Sequence, residues 1–381
     1  MNKLNLFRDC SVSKEEFLRD YWHQKPLLIK NAVDIGDFVS CFPDKQQLIK
    51  LSCDDDIQSR IVFKNSETNY DVEYGPFSHE DFNELEDETW NLLVSDIDKW
   101  HPLSRKILQH FDFIRNWIFD DIMLSCGSVG GTVGPHTDHY DVFLLQVEGQ
   151  RLWKFSNSKI LNPDLLPDQA LKLMSDFQYD TEYNLNPGDI LYLPPEYAHY
   201  GIISSDDCVT CSIGMRTPSA SELSVSFVDS LAQTLSDNNR FVEPQFQSQP
   251  LKGEITQDDL SAVKNILLDN LSFENMNLIS WFGKYLTEYR SLFYEFNEYK
   301  EQEEFNQRLD LKTSPFSKTC YFAQGDNAIL FVNGIEFDCS LNFAKLICNE
   351  QTISSEMVSK LNKIDLEVVE KLFCEGALIE F

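Results

Sequence analysis

The sequence predicts an α+β chain, with a β-rich body followed by a helical region and then a small mixed module. Three observations carry this expectation. From about residue 121 to 215, short apolar runs alternate with turn residues, the spacing of a sandwich or barrel. After Thr217-Pro218 the pattern changes to capped runs of helical period. Aromatic residues are abundant, with 28 Phe, 14 Tyr and 6 Trp in 381 residues, which favours β-rich or tightly packed domains over a simple helical bundle.

The elements follow in order. Ser13-Lys14-Glu15-Glu16 is a capping box, and Phe17, Leu18 and Tyr21 continue at helical spacing. Pro26 stops that helix, and Leu27-Leu28-Ile29 reads as a short strand. Residues 35 to 120 are mixed and carry no repeat. The segment Asp121 to Ser128 leads into a turn, Gly130-Gly131-Thr132-Val133-Gly134. A strand from His136 to Val147 and one from Arg151 to Phe155 are expected to pair as a hairpin across Glu148-Gly149. Asn186-Pro187-Gly188-Asp189 launches Ile190 to Leu193, and Cys208 to Met215 alternates as a strand.

Ser219-Ala220-Ser221-Glu222 caps a helix running to about Leu235, and Thr256-Gln257-Asp258-Asp259 caps another. A third covers about Asn275 to Tyr299. The stretch 243–250 reads as a connector and 300–313 as a linker. Beyond it, Cys320 to Phe337 reads as a hairpin across Gly325-Asp326-Asn327, with a further turn at Asn333-Gly334. Helical patterns follow at 341–348, 354–362 and 365–376. This helix-plus-wing pattern lacks a basic stripe, so a protein-contact or structural role is favoured over DNA binding. The expected domains are therefore 1–216, 217–300 and 310–381.

The formal net charge is −30. Phosphate binding needs clustered Lys and Arg, so nucleic acid is a poor partner. A basic protein partner suits the charge, and so does plain solubility. The first residues lack the apolar core of a signal peptide, and no apolar run approaches a membrane span. The ten cysteines are then expected as free thiols in a reducing cytoplasm. Cys208 and Cys211 have C-x-x-C spacing but no second pair nearby, which makes a metal or redox role the minor reading.

The chemistry centres on Gly134-Pro135-His136-Thr137-Asp138 and on His199. Alternate residues of a strand share a face, so His136 and Asp138 could chelate one ion together. His139 is offset by one and faces away. His199 follows a turn and strand, Pro187-Gly188-Asp189-Ile190-Leu191-Tyr192-Leu193-Pro194-Pro195, that can place it reproducibly. Two histidines and one carboxylate leave three positions of an octahedral metal open. That suits non-haem Fe(II), with two positions for 2-oxoglutarate and one for dioxygen. The far carboxylate of 2-oxoglutarate needs a buried cation, for which Arg151 is the candidate, with Ser125 as a hydrogen-bond donor.

The stretch Asp121 to Trp153, with Gly134-Pro135-His136-Thr137-Asp138-His139-Tyr140-Asp141-Val142-Phe143, resembles the bacterial ribosomal oxygenases of the JmjC/cupin-4 family, as does the segment Pro187 to His199. The likeness is greatest to the arginine hydroxylases of that family. It implies a double-stranded β-helix (cupin/JmjC jelly roll), a helical dimerisation region, a winged-helix-like C-terminal domain and a homodimer. It also implies hydroxylation of an arginine β-carbon in large-subunit ribosomal protein sixteen. Iron ligation would fall to His136, Asp138 and His199, and 2-oxoglutarate to Ser125 and Arg151. Asp121, Met123, Tyr140 and Ser212 would hold the substrate arginine. One departure is Thr132, which interrupts a glycine run of the family; in addition, Cys126 and Cys211 are expected to bring thiols near the site. The alternatives are a JmjC histidyl hydroxylase, a lysyl demethylase, or a cupin dioxygenase working on a small molecule without 2-oxoglutarate.

Overall fold

A computed structural model describes residues 6–7, 10–34, 36, 41–236, 240–242, 253–271, 277–288, 308–350 and 352–380. The connector 243–250, the far part of the third helix and most of the linker 300–313 lie outside the described residues. The chain divides into two compact units, Met1–Thr217 and Pro218–Phe381.

The first unit is built on two antiparallel sheets. The strands are β1 (Leu27–Ile29), β2 (Ser59–Lys64), β3 (Tyr70–Tyr74), β4 (Trp90–Val94), β5 (Phe119–Gly127), β6 (Asp141–Glu148), β7 (Arg151–Lys159), β8 (Thr181–Leu185), β9 (Ile190–Leu193), β10 (Tyr197–Ile203) and β11 (Val209–Met215). The large sheet has the order β1-β9-β6-β11-β5-β4-β2-β3, and the small one β10-β7-β8. Neighbours in each are antiparallel, as expected of a jelly roll.

The anticipated hairpin is the first correction. Glu148-Gly149 does turn, with Gly149 at φ +59. The strands it joins lie in different sheets: β6 pairs with β11 and β9, while β7 pairs with β10 and β8. A Cβ on Gly149 would come within 2.4 Å of Ser205 Oγ and 2.5 Å of Asp207 Oδ1. The chain therefore crosses from sheet to sheet at a point that only glycine fits.

The N-terminal capping box forms as read. Ser13 caps α1 (Lys14–Asp20), and its hydroxyl accepts from Glu16 N; α2 (Lys45–Leu51), α3 (His79–Asn83) and α4 (Ile97–Trp100) follow in the same unit. Phe17, fully buried, packs against Phe143 and Tyr192 at centroid distances of 5.7 and 4.9 Å. Tyr192 donates its hydroxyl proton to Asp141 and accepts from His23 N at 2.8 Å. His23 Nδ1 also meets Asp141 at 2.6 Å. This linkage, invisible in the sequence pattern, ties the N-terminal arm to β6 and β9.

The second unit carries α5 (Ala220–Ala232), α6 (Gln257–Asn270) and α7 (Leu278–Thr287), with the first two capped by Ser219 and Thr256 as anticipated. Its strands are β12 (Leu311–Thr313), β13 (Thr319–Gln324), β14 (Asn327–Val332), β15 (Ile335–Ser340), β16 (Thr352–Ile353) and β17 (Leu378–Glu380). They form two sheets, β16-β12-β17 and β13-β14-β15. Residues 311–313, read as the end of a linker, are thus a central strand, because Leu311 and Thr313 bury on one side of a short polar-looking segment. Helices α8 (Leu341–Lys345), α9 (Ser355–Val358) and α10 (Lys363–Cys374) complete the module.

Helix α7 joins both parts of this unit. Trp281 Nε1 donates to Ser226 Oγ at 3.1 Å, and Gly334 N donates to Thr287 Oγ1 at 3.1 Å. A Cβ on Gly283 would lie 2.4 Å from the Phe331 ring, so glycine lets the helix seat on β14. No helix among the described residues is long and apolar enough to cross a membrane.

Candidate active site

The site lies between the two sheets of the first unit, and alternation along β5 and β11 decides what lines it. On β5, Ile122, Leu124 and Cys126 bury into the main apolar core, each at most 1% exposed. On β11, Val209, Cys211 and Ile213 do the same at 0%. Asp121, Met123, Ser125 and, opposite them, Thr210, Ser212 and Gly214 take the other face. Cys126 and Cys211 therefore do not line the site. Burial raises both thiol pKa values, that of Cys126 to about 12.

His136 and Asp138 sit in the irregular segment before β6, not on a continuous strand. Gly134 at φ +83 turns the chain into it, and Thr132 Oγ1 accepts from Gly134 N at 3.0 Å. Thr132 is thus part of the turn that delivers the motif. His136 N donates to His199 O at 3.0 Å and His199 N to His136 O at 2.9 Å, a two-residue bridge that sets the histidines side by side. A register shift in β10 between Tyr197 and His199 helps aim the second ring.

Ligand atoms of His136, Asp138 and His199 all lie within 4.8 Å of one another. His199 Nε2 lies 3.5 Å from Asp138 Oδ2 and His136 Nε2 lies 3.9 Å from Asp138 Oδ1. The tautomers follow from the neighbours. His136 Nδ1 faces Gly134 O at 2.9 Å, and His199 Nδ1 faces Tyr197 O at 3.0 Å. A carbonyl only accepts, so each Nδ1 carries the proton and each Nε2 offers a lone pair to the common centre. Burial, with a smaller push from His136, lowers the pKa of His199 to about 4, so it is neutral and ready to ligate at pH 7. His139 is exposed and takes no part.

Arg151 opens β7 and is 5% exposed. Its Nη1 donates to Ser125 Oγ and its Nη2 to Asn91 Oδ1, both at 3.0 Å. Both acceptors are neutral, and Arg151 Nε is buried without a partner. Among the described residues this buried cation has a spare donor and no carboxylate partner, an arrangement suited to an acid. The pair Arg151–Ser125 was legible in the sequence. Asn91 was not, although a lone amide in Trp90-Asn91-Leu92-Leu93-Val94 is a signal that could have found it. Trp153, next on the same face of β7, packs on Arg151 and His199 with centroid distances of 5.9 Å to each. Gly201 leaves room for that ring, because a Cβ there would lie 2.7 Å from it.

The remaining residues cluster at the other end. A Cβ on Gly214 would come 2.9 Å from Asp121 Oδ1 and 4.0 Å from Tyr140 Cε2. Asp138 does most to raise the Tyr140 phenol pKa, followed by burial and Asp121, so the phenol feels both carboxylates. Burial raises Asp121 to about 7, helped by Asp96, Asp120 and Asp98. Ser212 faces Met123 across the β5–β11 ladder. Met123 also packs against Val62, Tyr70, Leu93 and Leu173, so it is partly a core residue.

Residues 106–223 match the JmjC domain. That segment is a JmjC domain. A protein of Haemophilus influenzae described as a probable ribosomal oxygenase is 35% identical over 268 residues, covering 68% of this chain and 65% of that protein. The chain thus spans just under two thirds of that relative. The ribosomal protein uL16 3-hydroxylase of Escherichia coli is 28% identical over 276 residues, covering 72% and 71%. The X-ray structure of Escherichia coli YcfD superposes with a TM-score of 0.79 at 22% identity, over 97% of this chain and 98% of that one. Another YcfD structure, in complex with cobalt and 2-oxoglutarate, gives 0.73 at the same identity and coverage. The chain therefore has the cupin-type fold of YcfD, and proteins described as ribosomal oxygenases are among its relatives.

Proposed function

We propose that this protein is a 2-oxoglutarate-dependent dioxygenase that hydroxylates the β-carbon of an arginine in ribosomal protein uL16. The observation that carries the reading is the pairing of two sites. Three ligand atoms converge within 4.8 Å, and beside them lies a buried Arg151 without a carboxylate partner. Relatives described as ribosomal oxygenase and uL16 3-hydroxylase support it.

His136, Asp138 and His199 would hold the iron. Iron(II) bound there supplies the oxidising chemistry, in which 2-oxoglutarate and dioxygen become succinate and carbon dioxide as a C–H bond is hydroxylated. The protein's own part is placement. Arg151 and Ser125 bind the far carboxylate of 2-oxoglutarate and fix its direction. Asp121 pairs with the substrate guanidinium in a geometry suited to two hydrogen bonds. Tyr140 and Met123 pack along its aliphatic stem, and Ser212 offers a hydroxyl beside them. The acidic chain, at −30, suits a basic ribosomal protein. An acid facing the substrate pocket favours arginine over the histidyl and small-molecule alternatives.

The domain reading comes with this proposal: 1–216 catalytic, 217–300 helical and dimerising, and 310–381 winged-helix-like. Support for a homodimer comes from α6, where Leu260, Val263, Leu267 and Leu271 are 53, 44, 52 and 43% exposed along one stripe. A cytoplasmic location agrees with a ribosomal substrate. The test is intact-mass measurement of unmodified uL16 after incubation with the enzyme, Fe(II) and 2-oxoglutarate. One added oxygen, localised to an arginine, is expected. Succinate formation with no oxygen on any ribosomal protein would retain the oxygenase and remove the substrate.

A further inference from the structure

The carboxylate-binding end of the site contains a residue that no motif announced. We infer that Asn91 directly anchors the far carboxylate of 2-oxoglutarate, donating from Nδ2 while its Oδ1 steadies Arg151. This rests on the oxygenase reading above.

Asn91 is 0% exposed and is the one polar residue of β4, whose pattern is otherwise Trp90, Leu92, Leu93 and Val94. A side-chain amide has one oxygen acceptor and two N–H donors. The oxygen is engaged, accepting from Arg151 Nη2 at 3.0 Å. The nitrogen is buried and has no partner. Arg151 Nε and Trp153 Nε1 are in the same condition, and Trp153 lies against the same guanidinium. Three buried donors, one of them on the cation itself and two beside it, thus have no acceptor among the described residues. Each donor left so costs free energy that an apolar side chain would avoid.

The missing group is therefore rich in acceptors and negatively charged. A water could accept from two of these donors, but it would leave Arg151 without a counter-charge. A carboxylate offers acceptor sites on two oxygens and supplies the charge. The wall behind Asn91 is rigid: it stands opposite Gly127, where a Cβ would lie 3.0 Å from Asn91 Cα and 2.2 Å from Trp90 O. The amide oxygen is already held by Arg151 Nη2 at 3.0 Å, which lowers the ordering cost of binding.

The experiment is anaerobic calorimetric titration of Mn(II)-loaded protein with two acids. One is 2-oxoglutarate; the other is pyruvate, which has the same 2-oxo acid head and no far carboxylate. Asn91→Ala and Asn91→Leu, neither of which has a side-chain donor, are compared with wild type. The expected result is a Kd for 2-oxoglutarate raised about tenfold, one hydrogen bond to a charged group, with pyruvate binding unchanged within about twofold. A 2-oxoglutarate loss below about fivefold, or an equal loss for pyruvate, overturns the inference, since a merely structural amide would act on both acids alike or on neither. If the alanine variant does not fold, the leucine variant, similar in size to asparagine, decides by the same criterion. Wild-type protein that binds neither acid overturns the oxygenase reading, and the role of Asn91 with it.

Discussion

The two faces of β5 and β11 are made by the same chain segments and have opposite characters. The outer face, Ile122, Leu124, Cys126, Val209, Cys211 and Ile213, is apolar and at most 1% exposed. The inner face presents Asp121, Met123, Ser125, Thr210, Ser212 and Gly214 to the site. A period of two along each strand lets one residue stabilise the fold while the next shapes the chemistry. The outer row should govern stability with little effect on turnover, and the site side should do the reverse.

The largest break on the site side is expected from His199→Ala. Loss of a ligand should weaken cobalt binding by at least about 100-fold, since even a residue hydrogen-bonded to a metal ligand is worth about 10–100-fold; metal titration followed by absorbance would show it. Undiminished cobalt affinity would remove His199 from the ligand set. Arg151→Ala comes next. It leaves the ligand carboxylate buried without its cation, at about 2–5 kcal/mol, or roughly a hundredfold in the 2-oxoglutarate KM, with metal affinity unchanged. Full activity in that variant would favour a dioxygenase that does not use 2-oxoglutarate.

Leu124→Ala tests the other face. Leu124 is fully buried, so the variant should lose about 2–5 kcal/mol of stability in urea melts. The kcat of the fraction still folded should stay within about twofold; a collapse of kcat would show that the faces are not separable.

Asp121→Asn sharpens the comparison most finely. A carboxyl raised from 3.8 to about 7 holds its proton more tightly in the folded state. Native stability therefore falls as pH rises from about 4 to about 7. Asn removes that fall, so the variant should match wild type in melting temperature near pH 4 and exceed it near pH 8. Its substrate KM should rise by about 1.5–3 kcal/mol, a charged hydrogen bond. In wild type the carboxylate must ionise to attract a guanidinium, so KM should drop about tenfold per pH unit up to about 7 and then level. A KM flat in pH would take Asp121 out of substrate binding.

Much of this was legible beforehand because it is local. Capping boxes at Ser13, Ser219 and Thr256 depend on residues three apart, and all three form. The strands at 27–29, 190–193 and 209–215 follow from short apolar runs between turn residues. The metal motif was legible for a related reason: His136 and Asp138 are close in sequence, and His199 follows a stiff turn and strand. What failed were statements about partners. The turn at Gly149 looked like a hairpin, but pairing is decided by which sheet each strand joins. Cys126 and Cys211 looked close to the site by sequence distance and were excluded by parity. Residues 311–313 looked like linker because their two neighbouring strands, β16 and β17, lie far along the chain.

The sequence by itself determined where helices start, which runs become strands, and which three side chains have the chemistry to hold a metal. Local backbone preference and side-chain type suffice for those. Only the tertiary structure decided that β6 and β7 part into separate sheets, that His136 and His199 bridge through their backbones, and that Asn91 from a distant strand completes the surroundings of Arg151. Those outcomes depend on contacts between residues remote in sequence, where burial of whole sheet faces outweighs any local preference.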